Sequence, residues 1–351
     1  MMQQTMDELE TDDAAADEAV ERVDVVVVGA GPNGLAAAIA TQQAGYRTVV
    51  VDSGCIVNAI AGYPTHMTFF STSEKIAIGG LPFPHAGEKP TRDDAMAYYR
   101  TVVEYFRLTV RQYETVERVA RQAERFRVDT RTRAGVRRTL DAGAVVLATG
   151  YFGHPNLLGI PGEDLPHVTH IFKEGHCAFQ QNAVVVGGGN SAVDAALELY
   201  RVHARVTLVH FADTLDPGVK PWVLPDITNR IKEGSIAVRW GARVTAITPS
   251  AVELSTPQGA ARLPADHVFL MTGFAPNTRI LESLGVPVDA DTGIPAHDPE
   301  TMETSVLRLF IAGVVASGKN ANRIFIENGR EHGPRIARQL AASGFTPHAL
   351  P

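Results

Sequence analysis

A chain of 351 residues, 45% apolar and 20% charged, with 31 Gly and 21 Pro, has the composition of a globular protein with room for two or three domains; a fibrous or wholly disordered chain is excluded. Its longest apolar runs, such as Val25 to Val28, fall far short of the roughly 20 residues a membrane helix needs, so no membrane span is expected. The net charge of −7 is local: residues 1–21 carry eight acids and no Lys or Arg, and taking those eight away leaves +1 on the remainder. That balance offers no basic field for nucleic acid.

Residues 1–21 lack the basic start and apolar middle of a signal peptide; they are expected to form a disordered acidic tail on a cytoplasmic protein. Only two cysteines, Cys55 and Cys177, are present, which points to a reducing compartment rather than a disulfide framework.

The first structured segment runs through Val23 to Val28 as a buried strand. It turns at Gly29-Ala30-Gly31-Pro32-Asn33-Gly34, continues as an Ala-rich helix to about Ala44, and returns as a strand, Arg47 to Val51, that closes on Asp52. This is a βαβ piece of a parallel sheet. Gly29, Gly31 and Gly34 satisfy the dinucleotide fingerprint: the first makes the turn, the second lets backbone approach a pyrophosphate, and the third lets the helix pack closely. The helix N-terminus favours phosphate through its free N–H groups and its dipole. Asp52, 18 residues beyond Gly34, is placed to grip ribose hydroxyls.

Alternation at Glu117 to Glu124, Arg125 to Thr132 and Arg138 to Ala144 predicts a small antiparallel meander, which feeds an apolar strand from Ala144 to a Thr149-Gly150 corner. The arginines of this stretch interleave with Glu114, Glu117, Glu124 and Asp129, the pattern of a solvated face.

A second fingerprint follows at Gly187, Gly189 and Ala192, after the strand Ala183 to Val186 and before a helix to about Val202 and a strand at Arg205 to Val209. The two fingerprints lie 158 residues apart, so each can occupy its own domain, and two dinucleotides in one chain imply a flavin fed by a nicotinamide. Registering the copies places His210 where the first has Asp52. A carboxylate there would repel a 2′-phosphate; its absence, with Lys220 downstream, favours NADPH over NADH. The other reading of His210 is a strand-end histidine in solvent. This second unit ends at the corner Thr272-Gly273-Phe274-Ala275-Pro276-Asn277.

The paired fingerprints and the two Thr-Gly corners resemble the two-domain flavoproteins of thioredoxin reductase type. Tyr63 to Thr72, Lys220-Pro221-Trp222 and Ile324 to Arg330 are similar to strings of the bacillithiol disulfide reductase family within that group. The resemblance covers about residues 22–340. It implies an α/β fold of two Rossmann-like, three-layer domains: an FAD domain over 22–155 and 277–351, interrupted by an NADPH domain over 156–276. FAD contacts then fall on Gly29, Gly31, Pro32, Asn33, Gly34, Asp52 and Ser53, on His66, on Thr149 and Gly150, and on Gly313, Val314, Ile324 and Phe325 near the start of the last helix. NADPH contacts fall on Gly187, Gly189, Asn190, Ser191, Ala192, His210, Lys220 and Gly273. No metal is implied, and a homo-oligomer, dimer or tetramer, is.

Two departures accompany the resemblance. The wider thioredoxin reductase-type group carries a Gly-Asp pair where Gly313-Val314 stands, a departure that the bacillithiol family shares, and members of that family often place a Cys in the first glycine loop, where this chain has Asn33. An amide cannot perform thiol exchange. Cys55 is expected near the adenosine end of FAD and Cys177 at a domain surface, both inert. His66 is the candidate for moving protons near the flavin. The expected activity is NADPH-driven electron transfer through FAD to a low-molecular-weight thiol disulfide. Its alternatives are a thiol-independent reductase of a ferredoxin- or flavodoxin-type carrier and a non-catalytic flavin redox sensor.

Overall fold

The computed structural model describes residues 20–320 and 323–347. The expected acidic tail lies outside the described residues as far as position 19. Glu21 does not belong to it: it opens the first strand opposite Leu140 and is ion-paired with Arg47 and Arg111.

In chain order the first elements are β1 (Glu21–Val28), α1 (Pro32–Gln43), β2 (Thr48–Asp52), the single-turn helices α2 (Asn58–Ala61) and α3 (Ser73–Ile76), and α4 (Arg92–Phe106). Four strands follow: β3 (Thr109–Gln112), β4 (Glu114–Gln122), β5 (Arg125–Thr132) and β6 (Arg137–Leu147). They form one sheet in the order β3-β2-β1-β6-β5-β4. At its centre Val25 to Val27 are wholly buried between parallel neighbours, Val25 opposite Thr48 on one side and Ala144 on the other. An uninterrupted valine run suits a strand covered on both faces.

The sequence divides residues 138–150 into a meander strand and an apolar strand; the structure makes them one. Along β6 the first half pairs antiparallel with β5, Phe126 opposite Ala142. The second half, Val145 to Leu147, pairs in parallel with a strand from far along the chain, β15 (Leu309–Ile311). One long strand therefore carries both the meander and the closing C-terminal segment on the same edge.

The second sheet is built from β7 (Val168–Thr169), β8 (Asn182–Val186), β9 (Arg205–Val209), β10 (Ala237–Arg239) and β14 (His267–Leu270), all parallel, in the order β10-β9-β8-β14-β7. Helices α5 (Asn190–Arg201) and α6 (Leu224–Lys232) cover one face. The other face carries a meander the alternation reading did not anticipate: β11 (Arg243–Thr248), β12 (Ala251–Thr256) and β13 (Gly259–Pro264). Successive β8 residues serve the two sides, Ala183 and Val185 packing with the helices and Val184 with Val244, Val252 and Leu254, as the two-residue period of a strand requires.

After this unit come α7 (Arg279–Ser283), β15, α8 (Ile326–Gly329) and α9 (His332–Ala342). Helix α9 lies on α1 so closely that a Cβ at Gly333 would stand 2.6 Å from the Ala36 carbonyl oxygen. The expected last helix beginning near Ile324 and Phe325 is thus two: Phe325 precedes the single turn α8, where it is half exposed, and Ile324 packs partly buried on the core.

Candidate functional site

Each glycine loop sits where the central strand of its sheet gives way to a helix. In the first, Gly29 adopts φ 111° and donates its N–H to the Val51 carbonyl at 2.8 Å. A side chain there would meet the Ala148 carbonyl oxygen at 2.3 Å, and one at Gly34 would meet that of Gly29 at 1.9 Å. Nothing lies within 4 Å of a Cβ placed on Gly31. The outer glycines are demanded by backbone packing, whereas Gly31 faces open space in front of the helix.

Helix α1 begins with Pro32 in its first turn and has no side-chain cap and no acid there. Helix α4, by contrast, carries a full capping box from Thr91 and Asp94, with acids at Asp93 and Asp94. The free N–H groups of α1 are left for an external anion. Asp52 frames this opening: its Oδ2 accepts from Ala30 N at 2.6 Å and its Oδ1 from Gly54 N at 2.7 Å. Burial raises its pKa, against the two amide bonds that favour the charged form. Spare lone pairs remain for hydroxyl donors. Ser53 beside it is exposed.

Asn33 is held from the far end of the chain. A Cβ at Gly313 would fall 2.6 Å from Asn33 Nδ2, and one at Gly329 2.7 Å, so both glycines exist to admit the carboxamide. Among the described residues its buried Oδ1 has no hydrogen-bond partner. Gly313, at φ 74°, starts a 3₁₀ turn through Ser317 that includes the partly buried Val314. Sequence reasoning missed the residue that fixes this turn: His332 Nδ1 accepts the Gly313 N–H at 3.1 Å. Burial first, then the nearby charges of Arg335 and His297, push the His332 pKa down to about 4. A dinucleotide fits these residues: a bare helix start, open space at Gly31 and Gly150, and a flanking carboxylate.

The second loop repeats the backbone logic. Gly187, at φ 138°, donates to the Val209 carbonyl at 2.9 Å, and a Cβ on it would meet the Met271 oxygen at 2.4 Å and Ala192 at 3.2 Å. Gly189 caps α5, again with no side-chain cap and no acid in the first turn, and Ser191 is exposed on that turn. Asn190 is used locally: Nδ2 donates to the Gly218 carbonyl and Oδ1 accepts from Lys220 N at 2.9 Å.

Two expectations here are corrected. His210 is neither in solvent nor open to a phosphate; it is 2% exposed, its ring lying so near the loop that a Cβ on Gly188 would be 2.4 Å from Nε2. Among the described residues neither ring nitrogen has a hydrogen-bond partner, although Nε2 comes within 3.3 Å of Asp216 Oδ1. A carboxylate does stand at this loop, that of Asp216, whose amide bonds the Gly188 carbonyl and whose Oδ2 stands 3.1 Å from a Cβ on Gly189. It escaped the register comparison because it comes from the loop after the strand, outside the repeated unit. Lys220, expected as a phosphate contact, has partners of its own: its ammonium bonds Asp194 Oδ2 at 2.7 Å and stands 3.8 Å over the Phe70 ring.

The units are joined where both Thr-Gly corners cross. Asn156 N donates to the Gly273 carbonyl at 2.9 Å, Thr272 Oγ1 to the Asn156 carbonyl at 2.7 Å, and Ala275 N to the His154 carbonyl at 2.9 Å, making a short two-stranded ribbon beside exposed Thr149. Around it Tyr63, Tyr151, Phe152 and Phe274 pack ring on ring at 4.6–6.1 Å. Burial raises both phenol pKa values, so Tyr63 and Tyr151 stay protonated. His66 stands on an exposed turn of the segment after Tyr63. Cys55, beside Asp52, lies 3.5 Å from Asn58 Oδ1, and Cys177 is exposed on the 3₁₀ turn His176–Ala178; both are free. Among the described residues no helix is long and apolar enough to cross a membrane.

Comparison with known proteins agrees with this geometry. Residues 26–313 match the pyridine nucleotide-disulphide oxidoreductase family. The bacilliredoxin reductase Bdr of Bacillus subtilis (strain 168) is 45% identical over 318 residues, 90% of this chain and 97% of that protein. The bacillithiol disulfide reductase structure from Bacillus cereus superposes with a TM-score of 0.90 at 44% identity, covering 92% of this chain and all of that one. That from Staphylococcus aureus gives 0.87 at 39% identity, over 92% and 99%. With two glycine loops opening uncapped helices on two sheets, and with likeness running through nine-tenths of its length, the chain belongs to the bacillithiol disulfide reductase family of pyridine nucleotide-disulphide oxidoreductases and is an oxidoreductase.

Proposed function

We propose that the protein is an NADPH-dependent FAD oxidoreductase that reduces a low-molecular-weight thiol disulfide of the bacillithiol type. The observation that carries this reading is the pair of glycine loops, each opening a helix with neither a side-chain cap nor an acid in its first turn, the first loop facing open space at Gly31. The sheet holding β1 and β15 takes FAD, and the sheet holding β8 takes NADPH. Overall, one disulfide, NADPH and a proton give two thiols and NADP⁺. When bound, FAD supplies a two-electron carrier between nucleotide and acceptor.

The chain's own part is binding, orientation and charge. Amides at the start of α1 and the Gly31 backbone hold one pyrophosphate, Asp52 takes ribose hydroxyls, and Asn33 is the first-turn residue beside that pyrophosphate. Amides at the start of α5 hold the second pyrophosphate, while Asp216 faces it with an unfavourable charge. Holding the nicotinamide near the flavin is a proximity effect worth several kcal/mol of barrier, on the order of 7 or more at best. His66 is our candidate for moving the proton.

A second reading has its own support: Asn33 is no thiol, and Cys55 is tied to Asn58 at the Asp52 end of the loop. On that reading electrons leave the flavin for a small iron–sulfur or flavin carrier. Free cysteines fit a cytoplasmic protein, and we take the assembled state to be a homo-oligomer. The deciding experiment is anaerobic reduction by NADPH followed by a panel of acceptors. A yellow, FAD-releasing protein that turns over bacillithiol disulfide supports the first reading. Turnover of a ferredoxin-type carrier alone supports the second. A colourless protein that cannot be reconstituted with FAD ends both.

A further inference from the structure

Residues 63–72 run from the first unit, beside the crossing, to the second. Tyr63 packs on Phe152 in the crossing, 5.0 Å between rings. Thr65 N donates to the Lys173 carbonyl at 2.9 Å. Phe70 then meets Trp222, 5.6 Å between rings, and carries the Lys220 ammonium 3.8 Å above its face. Lys220 is tied to the second glycine loop through Asn190 and to helix α5 through Asp194, and Lys89 of the first unit approaches Trp222 at 5.9 Å.

Phe70 and Trp222 are 45% and 62% exposed, so neither is a core residue; their shared contact lies across the gap between the units. The two backbone crossings form only a two-stranded ribbon, a structure whose twist is weakly specified by itself. A contact away from the ribbon removes that freedom. The cation placed on the ring is held by the same loop that opens the nucleotide site.

We propose that Phe70 is a positioning residue for hydride transfer: with Lys220 and Trp222 it forms a clasp that fixes how the nucleotide-bearing unit is turned toward the flavin-bearing one. The clasp rests on the FAD and NADPH assignment above. It acts on geometry, because misplacing reacting groups by about 1 Å can cost on the order of a hundredfold in rate, while the nucleotide's own contacts remain in the second unit. A partly exposed ammonium–ring contact is also weak enough to open for exchange of nucleotide.

The test is rapid-mixing reduction of the FAD-loaded protein by NADPH, read as limiting rate and half-saturating concentration. Phe70→Ala and Phe70→Leu are expected to lower the limiting rate about tenfold with half-saturation within about twofold of the parent. Phe70→Tyr, which keeps the ring face, is expected to restore it. Lys220→Met is expected to slow the same step, and the Phe70→Ala/Lys220→Met double variant to be no slower than the slower single one. A Phe70→Ala or Phe70→Leu protein with the parent's limiting rate, or a loss confined to half-saturation, overturns the clasp alone. A parent protein that holds FAD and is not reduced by NADPH overturns the clasp and the functional reading together.

Discussion

His332 holds its ring neutral beneath the Gly313 turn, 7% exposed, and its imidazole accepts a backbone N–H that no charged ring could. Its pKa is about 4 when folded, against 6.5 as the ordinary value. Between those values the unfolded chain binds a proton that the folded one refuses, so stability is full above pH 6.5, declines as pH falls toward 4, and levels below. The total is about 3 kcal/mol by linkage. His332→Asn keeps an acceptor for Gly313 and removes the titration; its urea stability is expected to lack that part of the slope between pH 6.5 and 4. Identical slopes in parent and variant would refute the assignment.

Asp216 is the other residue whose meaning is local. Half exposed and set against Gly189, it puts a negative charge beside the amides offered to a pyrophosphate. Asp216→Asn is expected to tighten NADP⁺ about two- to fivefold, the range for a partly screened charge, with the gain shrinking at high salt. Calorimetric titration at two ionic strengths checks this, and weaker binding would mean that the carboxylate accepts from the nucleotide's hydroxyls.

Elements in this fold are shaped by where two backbones touch. Alanine in place of Gly333 gains about 1 kcal/mol of helix propensity, yet its Cβ would stand 2.6 Å from the Ala36 carbonyl on α1, and neither helix can yield without moving the glycine loop. We expect Gly333→Ala to destabilise by about 1–3 kcal/mol net and to retain less flavin, measured by thermal unfolding and by the absorbance ratio of purified protein. Both fingerprints and the valine runs were legible because a parallel strand, turn and helix each have local rules. Continuity of β6 was not, since the change from antiparallel to parallel partner at residues 142–145 is set by where β15 arrives, over 160 residues later in the chain. The β11–β13 meander was missed because its strands mix polar and small residues without a clean alternation and are joined by Pro-Ser and Pro-Gln turns that resemble loop.

On the scale of the molecule, the thiols decide between the two readings of the acceptor. Hydride transfer needs only two bound cofactors in register, and neither cysteine is built into the Asn33 pocket: Cys55 bonds Asn58 and Cys177 is at the surface. A Cys55→Ser/Cys177→Ser protein is expected to keep NADPH-driven flavin reduction within about twofold and most transfer to its acceptor. Normal flavin reduction with no transfer at all would place a cysteine in the path after all.

The chain's local patterns by themselves determined two dinucleotide folds, their glycine loops and Asp52, because those features arise from steric and hydrogen-bonding demands within about thirty consecutive residues. Tertiary structure alone decided what faces them. Asn33 is seated by Gly313 and Gly329, Gly313 by His332, Lys220 by Asp194 and Phe70, and His210 is sealed under Gly188 with Asp216 beside it. Each partner comes from another element, so its position depends on how whole helices and units pack, which no local period encodes.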